Sequence, residues 1–144
     1  MFSGLQHLHS FMPNLLLPVL VLSIVVFGIK YFSMRAFTKS DKRLALITLI
    51  LGHLQLIMGL IIYFMGSNGF NLTKIEGFMK DTTLRLYAVE HISIMILAIA
   101  IITFGYSRAK RQFINSKKFA SLGLSFLIAF VLILLRTPWS TWLA

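Results

Sequence analysis

Four long apolar runs, separated by short polar segments, dominate the chain. They cover residues 11–32, 44–65, 84–106 and 119–135. Since an α-helix rises about 1.5 Å per residue, about 20 apolar residues are enough to cross a bilayer core of roughly 30 Å. The pattern therefore predicts an all-α fold, an integral membrane four-helix bundle with short loops, formed by a single domain over residues 1–144.

The composition agrees with a membrane protein and excludes several kinds of site. Hydrophobic residues make up 58% of the chain and charged residues only 12%, and the mean hydropathy is +0.85, whereas a soluble domain carries about 25% charged residues. The net charge of +10 comes from short basic segments rather than from one soluble face, so we expect no nucleic-acid binding. Because the chain has no cysteine, disulfides, iron–sulfur clusters and thioether-linked haem are excluded.

The distribution of basic residues predicts the orientation of the bundle. The loop regions after the first and third runs carry Arg35, Lys39, Lys42, Arg43, Arg108, Lys110, Arg111, Lys117 and Lys118. The opposite side carries Lys74, Lys80, Arg85 and Arg136, partly offset by Glu76 and Asp81. By the positive-inside rule, both chain ends lie on the outer side of a bacterial inner membrane, and the two basic loops lie in the cytoplasm.

The outer loop between the second and third runs has a helical pattern of its own. Apolar residues recur over residues 71–80 at a spacing that predicts a short amphipathic helix on the membrane surface, with Asn71 as its cap. Asp81 or Thr82 is expected to cap the third helix, and Asp81 is expected to pair with Arg85. At the other end of the sequence, Ser10 is expected to cap the first membrane helix, with Pro13 in its first turn.

Polar residues within the apolar runs are the candidate functional residues. The four histidines are His7 and His9, before the first run, His53 in the second and His91 in the third. Counted along ideal helices, His91 lies roughly 10 Å and His53 roughly 18 Å from the outer surface. Ionisable residues in a membrane helix are costly, so they indicate a functional site.

Imidazoles on facing membrane helices are typical ligands of b-type haem, which needs two axial nitrogens and an apolar slot. We therefore expect one haem b site in the outer half of the bundle. The axial ligands are either His53 and His91, or His91 with His9 or His7, and the sequence leaves these pairs open. Further residues are expected around the haem: Gly52 and Gly59 to make room for the ring, Arg85 and Arg136 to bind the propionates, and Glu90 and Gln55 to orient a ligand or carry protons.

Two other functions fit the same residues. In the first, the chain is a non-enzymatic membrane subunit or assembly factor, and its His, Glu and Gln side chains only join helices by hydrogen bonds. In the second, His53, His91 and His9 bind a metal or form a proton pathway with Glu90. A freestanding enzyme is not expected, since the sequence shows no nucleophile–base pair and no phosphate-binding loop.

Five short segments of the chain resemble a group of small four-span bacterial membrane proteins often labelled cytochrome b-like. They are residues 4–10 (GLQHLHS), 52–60 (GHLQLIMGL), 79–81 (MKD), 89–91 (VEH) and 105–107 (GYS). The resemblance covers nearly the whole chain and implies functional roles for His9, His53, Glu90 and His91. The expected partners are the lipid bilayer and other membrane respiratory subunits or a quinone. In that group an Arg-Trp pair commonly follows the His-Ser pair, and here residues 11–14 (FMPN) stand in its place.

Overall fold

The computed structural model describes residues 2–142, and they form a bundle of long helices. The helices are α1 (Phe2–Phe11), α2 (Pro13–Phe32), α3 (Lys39–Met65), α4 (Thr82–Arg85), α5 (His91–Lys110), α6 (Asn115–Arg136) and α7 (Trp139–Trp142). A five-residue π-helix, Leu86–Glu90, joins α4 to α5. Four helical stretches are long and apolar enough to cross a membrane: Ser3–Phe32, Lys39–Lys74, Thr82–Lys110 and Asn115–Arg136. The predicted all-α four-helix membrane bundle is confirmed.

The four long helices pack in a ring in which α2 contacts α3 and α6, and α5 contacts the same two helices. Sequence neighbours are therefore antiparallel, as short loops require. Leu20, Phe27, Ile102, Phe119 and Phe126 are fully or almost fully buried in the core. Many other large apolar side chains face outward, such as Phe104 at 64% exposure, which suits a surface covered by lipid rather than water.

The bundle has two chemically different ends. We call the end that holds His9 the histidine end. Both described chain termini lie there, since the Trp142 indole donates a hydrogen bond to the carbonyl of Ser10 (2.8 Å). The opposite end, which holds the loops 33–38 and 111–114 and most of the basic residues, is the basic end. At the basic end, Lys30 of α2 forms an ion pair with Asp41 of α3 (2.7 Å), whose side chain also completes a capping box with Thr38.

The start of the first membrane helix differs from the prediction. Helix begins at Phe2 and continues almost unbroken into α2, because the amide of Met12 donates to the Leu8 carbonyl (2.9 Å) and its carbonyl accepts from Leu16 (2.9 Å). Ser10 therefore lies inside α1, and its predicted role as a cap is wrong. The consequence is that His9 lies within a helix that leads into the first membrane span.

The loop between the second and third spans is also less regular than expected. It contains a five-residue 3-10 helix, Phe70–Lys74, followed by turns, and its cap position is Gly69 rather than Asn71. Of the two caps predicted for the third span, the structure uses Asp81, which accepts from the amides of Thr83 (2.8 Å) and Leu84 (2.9 Å). The expected pair of Asp81 with Arg85 is replaced by a pair between Arg85 and Glu90.

Candidate functional site

Two histidines meet at the histidine end of the bundle. The imidazole rings of His9, on α1, and His91, the first residue of α5, have centroids 6.5 Å apart and planes at 89° to each other. Both residues are half-buried. The structure thus brings together one of the histidine pairs that the sequence left open. We call His9 and His91 the histidine pair.

Helix α3 fixes the position of His9. Gln55 donates a hydrogen bond from its side-chain amide to the His9 carbonyl (2.9 Å). Gly59, one turn further along α3, has no side chain, and a Cβ placed there would lie 2.9 Å from Cε1 of the His9 ring. The absence of that carbon is what allows the imidazole to lie against the helix. Two buried atoms in this region, Nδ1 of His9 and Oε1 of Gln55, have no hydrogen-bond partner among the described residues.

A hydrogen bond to the last helix orients His91. Its Nδ1 lies 2.8 Å from the carbonyl oxygen of Arg136, and since a carbonyl can only accept, Nδ1 carries the proton. This tautomer leaves Nε2 with a free lone pair, which is the arrangement found in most metal-binding histidines. The preceding π-helix, Leu86–Glu90, sets the rotation at which α5 begins, and such π segments are frequent at functional sites.

Three charged side chains lie beside the histidine pair. Glu90 accepts from Arg85 (2.7 Å) and forms a second ion pair with Arg136 (3.2 Å). The two arginines carry one more charge than the carboxylate neutralises, so a site of net positive charge borders the pair. Glu90 therefore joins α4 to the end of α6, and the structure uses it as a counter-ion of the arginines.

His53 lies apart from this cluster. Its Nδ1 donates to the Leu49 carbonyl (2.8 Å), and its Nε2 lies 3.4 Å from Oγ1 of Thr103 on α5. Thr103 is roughly 18 Å along α5 from His91. The structure therefore does not bring His53 and His91 together, because α3 and α5 run antiparallel and His53 lies nearer the basic end than Gly59. His53 instead borders a shallow, open groove of about 500 Å³ between these two helices.

Two further residues that the sequence placed at the site, His7 and Gly52, have other surroundings in the structure. His7 is exposed and makes no side-chain hydrogen bond in the described structure. Gly52 packs against Ile99, whose Cδ1 would lie 3.0 Å from an added Cβ, so it makes room for an isoleucine and not for a histidine. Among residues 2–142, no group of three or more His, Cys, Asp or Glu side chains could hold a metal ion together.

Two aromatic residues of this site were not singled out as functional from the sequence. The Tyr63 hydroxyl donates to the carbonyl of Ala88 inside the π-helix (2.8 Å) and so ties α3 to the segment before His91. The Trp142 indole donates to the carbonyl of Ser10, the residue after His9. The signal for Tyr63 is its place one turn beyond Gly59, near the end of the same helix.

No family model matches this chain. The comparisons with curated proteins and with solved structures likewise found no match. What the chain does is therefore argued from its own residues.

Proposed function

We propose that the protein is a b-type haem-binding electron-transfer protein, or the haem-binding subunit of a larger complex, in a bacterial inner membrane. The observation that carries this proposal is the 6.5 Å separation of the two imidazole centroids. If both imidazoles held one metal, a metal–nitrogen bond of about 2 Å would allow their ring centroids to lie about 6 Å apart. The spacing of the histidine pair suits a shared metal.

The number of ligands favours haem over a bare metal ion. A structural zinc takes four protein ligands and a catalytic one takes three, whereas haem iron needs only two because the macrocycle supplies the other four. The described residues offer a pair of histidines and no larger group of metal ligands. This donor set supports a metal whose remaining ligands belong to a cofactor, as in haem. Haem bound in this way supplies one-electron transfer within the membrane.

Residues around the pair fit the same use. His91, fixed through Nδ1 by the Arg136 carbonyl, offers Nε2 as a ligand, and His9 has a buried nitrogen without a partner. Arg85 and Arg136 exceed Glu90 by one positive charge, which favours an acidic group such as a haem propionate nearby. Among the pairs that the sequence left open, the geometry thus favours His9 with His91 over His53 with His91. The electron partners would be other membrane respiratory subunits or a quinone.

An optical spectrum tests the proposal. The detergent-purified protein, or the purified protein after haemin addition, is expected to show a Soret band that shifts on reduction with dithionite. His9→Ala and His91→Ala should abolish or strongly change it, while His7→Ala and His53→Ala, which remove a histidine elsewhere, should leave it intact. Absence of a Soret band after haemin addition, or loss of the band in the His53 variant but not in the His9 variant, would contradict the proposal.

A second candidate function is a small membrane subunit or assembly factor without a cofactor. The hydrogen bonds of Gln55 to the His9 carbonyl and of His91 to the Arg136 carbonyl support it, because both join different helices. If this is the function, the His91→Ala variant should unfold at a lower temperature than the parent while neither protein binds haemin. The thermal transition, measured with and without haemin, distinguishes the two: only the haem proposal expects haemin to raise it.

A further inference from the structure

A small cavity at the basic end lies between three helices. It has a volume of about 150 Å³, and its lining includes Lys42 of α3, Lys110 at the end of α5 and Lys118 in the first turn of α6. Phe37 and Tyr106 line it as well. We call this space the lysine cavity. It is separate from the histidine pair, which lies at the opposite end of the bundle.

No carboxylate offsets the charge of this cavity in the described structure. Asp41 is the only acid on the helix ends around it, and Asp41 is 2% exposed and held by both Lys30 (2.7 Å) and the capping box with Thr38. Two of the lysines contact aromatic rings and no carboxylate. Nζ of Lys118 lies 5.1 Å from the ring centroid of Phe37, and Nζ of Lys110 lies 5.9 Å from the ring centroid of Tyr106. Three positive charges around a small space repel each other unless an anion lies between them.

The first turn of α6 adds to this positive charge. It contains no acidic residue, and no side chain caps it. Lysines in the first turn are unfavourable next to the positive end of the helix dipole, and a bound anion would relieve that repulsion. The three lysines also stand within about one turn of a helix end, which is the level at which a membrane-spanning bundle meets lipid headgroups.

We propose that the lysine cavity binds the phosphate of an anionic phospholipid headgroup. The cavity volume corresponds to roughly five water molecules at about 30 Å³ each, which is room for one phosphate group. The lysines supply charge-assisted hydrogen bonds, and the outward apolar surface of the same helices receives the acyl chains. The lipid fastens α3, α5 and α6 to one another at the end where their loops meet.

Native mass spectrometry of the detergent-solubilised protein, titrated with phosphatidylglycerol or phosphatidylcholine, tests the proposal. The cavity variant carries Lys42→Gln, Lys110→Gln and Lys118→Gln. The matched control carries Lys39→Gln, Arg111→Gln and Lys117→Gln, which removes the same charge from the same end at exposed positions that do not line the cavity. A thermal transition for each variant shows that it is folded.

The parent should prefer phosphatidylglycerol to phosphatidylcholine. A lysine next to an anionic headgroup contributes about a fivefold change in affinity, so the cavity variant should lose about 100-fold and the control less than about fivefold. Equal losses in the two variants, or equal binding of the two lipids by the parent, would overturn the proposal. Displacement of the lipid by millimolar inorganic phosphate would show that free phosphate is the ligand, and this too would overturn it. If the triple variant does not fold, the single variants Lys110→Gln and Arg111→Gln are compared in its place. Lys110→Gln should then lose about fivefold in affinity for phosphatidylglycerol, and Arg111→Gln should not.

Discussion

Replacing Gly59 by alanine tests whether the position of the His9 ring controls haem binding. The new Cβ would lie 2.9 Å from Cε1 of His9, about 0.6 Å short of the roughly 3.5 Å at which two carbons make contact. The atom that must give way is the far end of a side chain, so the imidazole should move while the helices stay in place. A metal site tolerates ligand displacements of only about 0.2 Å, so under the proposed function a shift of this size should weaken haemin binding.

The expected loss of haemin affinity is about 10- to 100-fold, the usual cost of disturbing residues that support a metal ligand. The assay is a haemin titration of the purified protein, followed by Soret absorbance. Gly52→Ala is the matched control, because it lies on the same helix and its Cβ would be as tight (3.0 Å), but against Ile99. Both variants exchange glycine for alanine within a helix, and the higher helix propensity of alanine stabilises each by about 1 kcal/mol. Equal haemin affinity in the two variants would refute the reasoning.

Three further predictions concern stability, and each is read from the thermal or denaturant unfolding of the detergent-solubilised protein. Gly105→Ala places a Cβ against the side chain of Ser125 on α6 and should lower the free energy of unfolding by about 1–3 kcal/mol, whereas Gly28→Ala, with open space around it, should not. Asp41→Asn breaks the ion pair with Lys30 and should lower the free energy of unfolding by about 1–3 kcal/mol. Adding Lys30→Met to this variant should lower it little further, because Lys30 has already lost its partner. Tyr63→Phe removes one hydrogen bond to the π-helix and should cost about 1 kcal/mol; an unchanged transition would show that this bond does not support the segment.

The four membrane helices could be predicted from the sequence because a long apolar run in a bilayer has only one way to satisfy its backbone hydrogen bonds. The predicted starts of the four spans lie two to nine residues after the observed ones, where polar side chains join the helix. α3 begins at Lys39 rather than at residue 44, because Thr38 and Asp41 form a capping box and Asp41 is neutralised by Lys30. That ion pair joins two spans, and nothing in the apolar pattern indicates it.

The candidate site was predictable in its residue types but not in its pairing. His9, His53 and His91 stand out because imidazoles are rare in membrane helices. Which two meet depends on where α1 begins and on the rotation of α5, and both are set by features that the apolar pattern does not show. The first is the continuation of helix through Met12, and the second is the π-helix that ends at Glu90. The close contact of Gly59 with the His9 ring is evident only in the structure, where α1 and α3 are seen side by side.

The bond from the Trp142 indole to the Ser10 carbonyl has a consequence for how the protein is made. Residue 142 follows residue 10 by 132 positions, so this bond can form only after the fourth span has been synthesised. Gln55 of the second span reaches the His9 carbonyl over a separation of 46 residues, so it is available to position His9 much earlier in synthesis. The helix that carries His9 is therefore fastened at two stages of synthesis, first by Gln55 of the second span and later by Trp142.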